Sequence, residues 1–202
     1  MKNKLIILII YLLFQNNLAI AQSFKFETEN LDITNKGNQI NAGKGKAFSL
    51  DNNLEIQANK FEYTKDLDIL KSSGNGLVFI RSKNLNIEFD NAFFDQKNSI
   101  LRANGNIKIK QADKDLIIVT DKIIYDQKNS QINSDTQTTL TDNLKNEYIV
   151  DNFLYEIDKS LIKVINLRFK DIENNNLKTP LAYINTDTNK LFGKDVDINL
   201  NN

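Results

Sequence analysis

Four stretches of this chain are variations on one ten-residue theme, and that repetition limits the fold more than any other feature. They are Leu54–Tyr63, Leu85–Phe94, Leu116–Tyr125 and Asn146–Tyr155; each has Asp or Asn at its sixth place and an aromatic at its tenth. Phe24–Ile33 fits the apolar pattern as a weaker first copy, and Leu181–Tyr183 looks like the tail of a last one. The end markers Ile33, Tyr63, Phe94, Tyr125, Tyr155 and Tyr183 therefore recur about every 30 residues, a spacing typical of stacked architectures.

Within a unit the pattern is that of strands. Leu54, Ile56 and Ala58 alternate with polar residues, the mark of a half-buried strand. The alternation then changes parity, so that Phe61 and Tyr63 form the next apolar pair. The same three-residue step links Phe89 to Ala92, Thr120 to Ile123 and Val150 to Phe153. One extra residue at a bulge produces such a step and keeps both halves of the strand facing one core. The Asp or Asn sits in that step, where its tolerance of bent backbone suits it. A polar turn follows each aromatic (Asp95–Ser99 and Asp126–Ser130 are both Asp-Gln-Lys-Asn-Ser), and then a return strand begins. Gly43, Gly45, Gly74, Gly76 and Gly105 mark kinks in the return strands. The unit is strand, turn, kinked strand, and ten to twelve short strands are expected.

A lone hairpin cannot bury its apolar face. Stacked units can do so by forming two sheets that face each other. The side chains expected to point inward are Leu54, Ile56, Phe61, Tyr63, Leu85, Ile87, Phe89, Phe94, Leu116, Ile118, Ile123, Tyr125, Tyr148, Val150, Phe153 and Tyr155. The pattern fits a sealed core and a splayed apolar groove equally well. Stacking also leaves free strand edges at Phe24–Ile33 and at Val196–Leu200, which suit either docking of a partner strand or fraying.

Composition removes whole classes of chemistry. With no His and no Cys, the sequence holds no Ser-His-Asp, Cys-His or His-metal site and no disulfide framework. Lys+Arg and Asp+Glu are 26 each, without the positive excess that nucleic acid or an anionic membrane surface attracts. Asp66 with Asp68, and Asp195 with Asp197, are spaced to share a strand face. A polysaccharide-acting enzyme would use such pairs, but solvated turns carry them more often. No catalytic residue, metal or cofactor is expected. Lys2 and Lys4, the apolar run Leu5–Phe14 and the small-x-small site Ala19-Ile20-Ala21 have the form of a secretory signal peptide over 1–21, with an uncleaved membrane anchor as the competing reading, and one domain is expected over 22–202.

The units Ala58–Tyr63 and Thr120–Asp126, with return strands of the Ala103-Asn-Gly-Asn-Ile-Lys-Ile109 type, resemble the OstA-like (organic solvent tolerance) repeat. That family includes the periplasmic lipopolysaccharide bridge protein LptA and the N-terminal domain of LptD, and the resemblance spans roughly Phe24 to Leu200. It implies a twisted β-jellyroll whose apolar interior shields the acyl chains of lipopolysaccharide, in the periplasm and associated with the outer membrane. It also implies docking to other OstA-like transport proteins edge to edge. The tail Leu181–Leu200 resembles the segment that leads into the barrel of LptD proteins, which would add an outer-membrane barrel and its lipoprotein plug as partners. A stand-alone LptA-like domain fits as well. Outside the resemblance, the competing expectation is a structural or adhesive exported β-solenoid with a closed core and no lipid.

Overall fold

The computed structural model describes residues 23–51 and 53–201; the expected signal peptide lies outside the described residues. Period-two alternation of apolar residues, interrupted only by polar turns, produces strands nearly everywhere. In chain order they are β1 (Phe24–Thr28), β2 (Leu31–Thr34), β3 (Gln39–Ala42), β4 (Gly45–Ser49), β5 (Leu54–Ala58), β6 (Lys60–Thr64), β7 (Ile69–Ile80), β8 (Leu85–Asp95) and β9 (Ile100–Gln111). The series continues with β10 (Leu116–Asp126), β11 (Gln131–Ser134), β12 (Thr138–Thr141), β13 (Glu147–Val150), β14 (Asn152–Glu156), β15 (Leu161–Lys170), β16 (Asn176–Asn185), β17 (Lys190–Lys194) and β18 (Asp197–Asn199). They join in one antiparallel sheet of eighteen strands.

The connectivity is a plain meander of bent rungs. Six long strands, β7 to β10 with β15 and β16, are each a whole rung, and the other strands join in consecutive pairs such as β5 with β6. That makes twelve rungs, each hydrogen-bonded to the next. Eighteen strands exceed the ten to twelve expected, because bends divide six of the twelve rungs into two strands each.

Every rung folds across its bend, so one half lies in a first layer and the other in a second. The first layer holds β1, β4, β5, β12, β13 and β18 with one half of each long strand; the second holds β2, β3, β6, β11, β14 and β17 with the other halves. The bends line up as a spine. The ladder register shifts at Ser73/Gly76, Glu88/Asn91 and Thr120/Lys122, where the sequence steps parity.

The spine also explains the 30-residue period, which is two rungs and not one. The rungs with Asn59, Asp90 and Asp151 at their bends are each followed by one whose bend is left-handed; after Asp121 the next bend, at residues 135–137, is not. Gly105 (φ 77°) and Asn106 (φ 50°) turn beneath Asp90, whose carboxylate accepts a 2.8 Å bond from Asn106 Nδ2. A Cβ at Gly105 would lie 2.5 Å from Asp90 Oδ2, so Gly is required there. Asn166 (φ 53°) repeats the arrangement, donating at 2.8 Å to Asp151. At the opposite ends of the rungs the two Asp-Gln-Lys-Asn-Ser turns are built alike: Asp95 accepts from the Asn98 backbone N–H at 3.1 Å, and Asp126 from that of Asn129 at 3.0 Å.

Two repeat markers sit differently from the others. Tyr183 points outward, opposite Phe192; its neighbours Ala182 and Ile184 face the core instead. Ile33 faces the inner side beside Ile40 but is 56% exposed, because no first-layer strand among the described residues covers it.

Candidate functional site

The interior between the layers gathers all the side chains expected to point inward. Leu54, Ile56, Leu85, Ile87, Leu116, Ile118, Tyr148 and Val150 come from the first layer, and Phe61, Tyr63, Phe94, Ile123, Tyr125, Phe153 and Tyr155 from the second. Phe89 lies at the spine, with its ring over Gly76, where a Cβ would meet it at 2.1 Å. All are buried, the most accessible being Leu116 at 7%. In this state the layers are packed against each other, and hollows such as one of about 410 Å³ bounded by Lys60, Glu62, Lys71, Phe93 and Arg102 open on the outside.

Return strands contribute to the interior as well as the repeat strands. Leu70, Val78, Ile80, Leu101, Ile107, Ile109, Ile132, Ile162 and Val164 complete it. The signal was present in pairs such as Ile107-Lys-Ile109, which alternate as cleanly as the motif itself. Apart from Asp142 near a rung tip, the rest of the buried inner row is small or neutral, as in the hydroxyl cluster where Thr120 meets Ser134 at 3.1 Å and accepts from Thr138 at 3.0 Å.

Apart from such hydroxyls at the spine, the polar groups that touch the interior lie toward the tips of the rungs. The Tyr63 hydroxyl donates to Asp68 at 2.8 Å and accepts from the Ser23 backbone N–H at 3.3 Å, which makes Asp68 an anchor for its turn. Tyr148 donates to Asp142 at 2.7 Å, and Tyr155 to Gln111 of the opposite layer. Tyr125 is the exception: its hydroxyl is buried with no hydrogen-bond partner among the described residues. Burial pushes its pKa up to about 12, with the charges of Asp158 and Asp126 adding to the rise. Burial also raises Tyr63, Tyr148 and Tyr155, and the bonds to Asp68 and Asp142 reinforce the first two.

Opposite the spine, where the rung tips of the two layers meet, is a seam. Lys83 reaches Asp158 at 2.5 Å, and Lys114 reaches Asp187 at 2.8 Å while also donating to Ser160 and, at 3.2 Å, to Thr186. Asn189 donates to Asn143 at 2.8 Å. The Lys83 ammonium, followed by Ser130, holds the Asp158 carboxyl below the usual range; Lys114 does the same for Asp187.

The two ends of the stack differ from its middle. At the N-terminal end, Phe24 and Phe26 of β1 cover the interior; Phe24 packs edge-on against Tyr63 and Phe94 with centroids 5.5 and 5.8 Å away, and Phe26 lies 6.0 Å from Phe61. Beyond this cluster, Leu31 and Ile33 of β2 stand uncovered, and at the other end Ile198 and Leu200 do the same.

Comparison with known proteins gives a family match. The family model described as OstA-like protein matches residues 51–166. No curated protein matches the chain in sequence. Among solved structures, the crystal structure of LptH, the LptA homologous periplasmic component of the lipopolysaccharide transport device from Pseudomonas aeruginosa, matches at 9% identity and a TM-score of 0.31, covering 74% of this chain and 95% of that one.

Proposed function

This chain belongs to the OstA-like family, and from that premise we propose that it takes part in lipopolysaccharide transport, holding acyl chains between its two layers. The observation that carries this reading is the length and chemistry of the interior. One unbroken row of aromatic and aliphatic side chains runs through the repeats, with small hydroxyls as its main polar content. Removing an acyl chain from water yields about 0.8 kcal/mol per methylene, so such a row binds it without covalent chemistry. Binding needs the packed layers to part along the seam. The protein acts without catalysis, after export to the periplasm on the outer-membrane side. Its uncovered ledges at Leu31 and Ile33, and at Ile198 and Leu200, accept strands of other OstA-like proteins.

The close packing of the interior favours a second reading, an exported structural protein with a permanently closed core. One experiment separates the two. Phe93 and Phe94 are neighbours on opposite faces, the first outside and the second inside. A benzophenone amino acid is placed at each in turn and irradiated in living cells. The lipid reading expects lipopolysaccharide adducts at position 94 and none at 93. Adducts at neither, together with no acylated lipid in the mass spectrum of the purified protein, would establish the closed core.

A further inference from the structure

The two long sides of the stack are held in different ways. At the spine each rung passes from layer to layer as continuous backbone. At the seam no backbone–backbone hydrogen bond joins the layers among the described residues; each cross-layer bond uses at least one side chain, from residues 40 to 75 positions apart in the chain. The two lysines there are unlike others in ion pairs. Lys114 is 11% exposed and Lys83 21%, against 69% for Lys25 and 62% for Lys60. Lys114 directs its ammonium to three groups on two turns of the opposite layer, Ser160, Thr186 and Asp187. Within reach of the Asp158 charge lies the partnerless Tyr125 hydroxyl, a polar group that the closed state leaves unsatisfied. The N-terminal end is stopped by the Phe24 and Phe26 rings.

We infer that Lys83 with Asp158, and Lys114 with Asp187, form a reversible clasp, and that an acylated ligand passes sideways through the seam they close. The inference rests on the lipid-binding reading above. The spine acts as the hinge, because its crossings cannot separate. Opening breaks two exposed-carboxylate ion pairs and a few hydrogen bonds, and lets the Tyr125 hydroxyl find a partner in water or in the ligand.

The chain has no cysteine, so thiols can be placed at will. The test uses the double pair K83C/D158C with K114C/D187C, either bridged by short bis-maleimides or capped thiol by thiol with N-ethylmaleimide. The probe is a fluorescent palmitate derivative, followed by stopped flow. The expected result is uptake by the capped protein and uptake roughly a hundredfold slower by the bridged one. Equal rates would overturn the clasp and leave the lipid reading standing. If the unaltered chain takes up no probe, the lipid reading falls and the clasp with it. Should the cysteine variants fail to fold, Lys83→Met with Lys114→Met serves instead: uptake about tenfold faster is expected, and an unchanged or slower rate rejects the clasp.

Discussion

In the middle of the stack and at its C-terminal end, the same alternation of apolar and polar residues has opposite outcomes. Leu85 and Ile87 of β8 are 1% and 0% exposed, whereas Ile198 and Leu200, spaced identically, are 59% and 64% exposed. The cause is stagger between the layers. Ser23 on the first rung bonds Tyr63 on the third, Lys83 bonds Asp158 about five rungs further on, and Asn143 bonds Asn189. Each first-layer strand thus lies over second-layer strands from later in the chain. Among the described residues, the second layer has nothing above its first strand, and the first layer nothing across from its last. Alternation tells which way a residue faces; whether another layer covers it depends on the stagger.

The sharpest way to break this comparison is to place a charge in each region. Phe61→Asp leaves an unpaired carboxylate among rings at 0% exposure, and the folded state is expected to disappear. Ile198→Asp should leave the thermal midpoint within about 2 °C of the parent by circular dichroism. A collapse of the second variant would mean that the end is covered in solution. Truncation reads the same contrast more gently. Ile87→Ala should cost about 2–5 kcal/mol in urea unfolding and Ile198→Ala less than about 0.5 kcal/mol; similar costs would show that the two positions are equivalent.

Smaller effects probe the spine and the seam. Gly76→Ala drives a methyl into the Phe89 ring and should cost about 1–3 kcal/mol, most of it recovered in the double variant with Phe89→Leu. Additive losses would show that the ring is not the obstacle. Among titrations, the raised pKa values of Tyr63, Tyr125, Tyr148 and Tyr155 favour the fold while the hydroxyls are neutral. That contribution is complete below the ordinary tyrosine value of 10.0 and is lost as the pH climbs above it. Tyrosinate absorbance should therefore rise together with unfolding; a rise well before it would mean that the interior admits water. The smallest effect belongs to the clasp. Asp158 and Asp187 are held below 3.8, so their contribution is full above that value and is lost as the pH falls through their lowered pKa values. Amides of residues 157–160 and 186–189, corrected for intrinsic exchange, should then exchange faster while those of β8 and β9 do not; uniform acceleration would signal global unfolding instead.

Much of this was legible in the residues. The parity step beside Asn59, Asp90, Asp121 and Asp151 marked the bends, because a strand must keep both halves facing one core. The aromatic tenth positions marked the inner row of the second layer. What local pattern could not supply was long-range. Tyr183 carried the marker's spacing but not its register: its strand turns Ala182 and Ile184 inward. The closed seam was equally invisible, since Lys83 and Asp158 are ordinary surface residue types until the stagger brings them together. The same limit kept the sealed and splayed interiors apart only as alternatives.

The meander of nearest-neighbour rungs bears on how the protein is made. A chain synthesised from its N-terminus offers each new strand a completed template edge, so pairing can proceed like a zipper without waiting for distant segments. Only closure of the two layers over one another has to wait, because it joins residues that emerge far apart in time. A nascent stack should therefore grow as an open, half-folded page and shut once Asp158 and Asp187 have appeared.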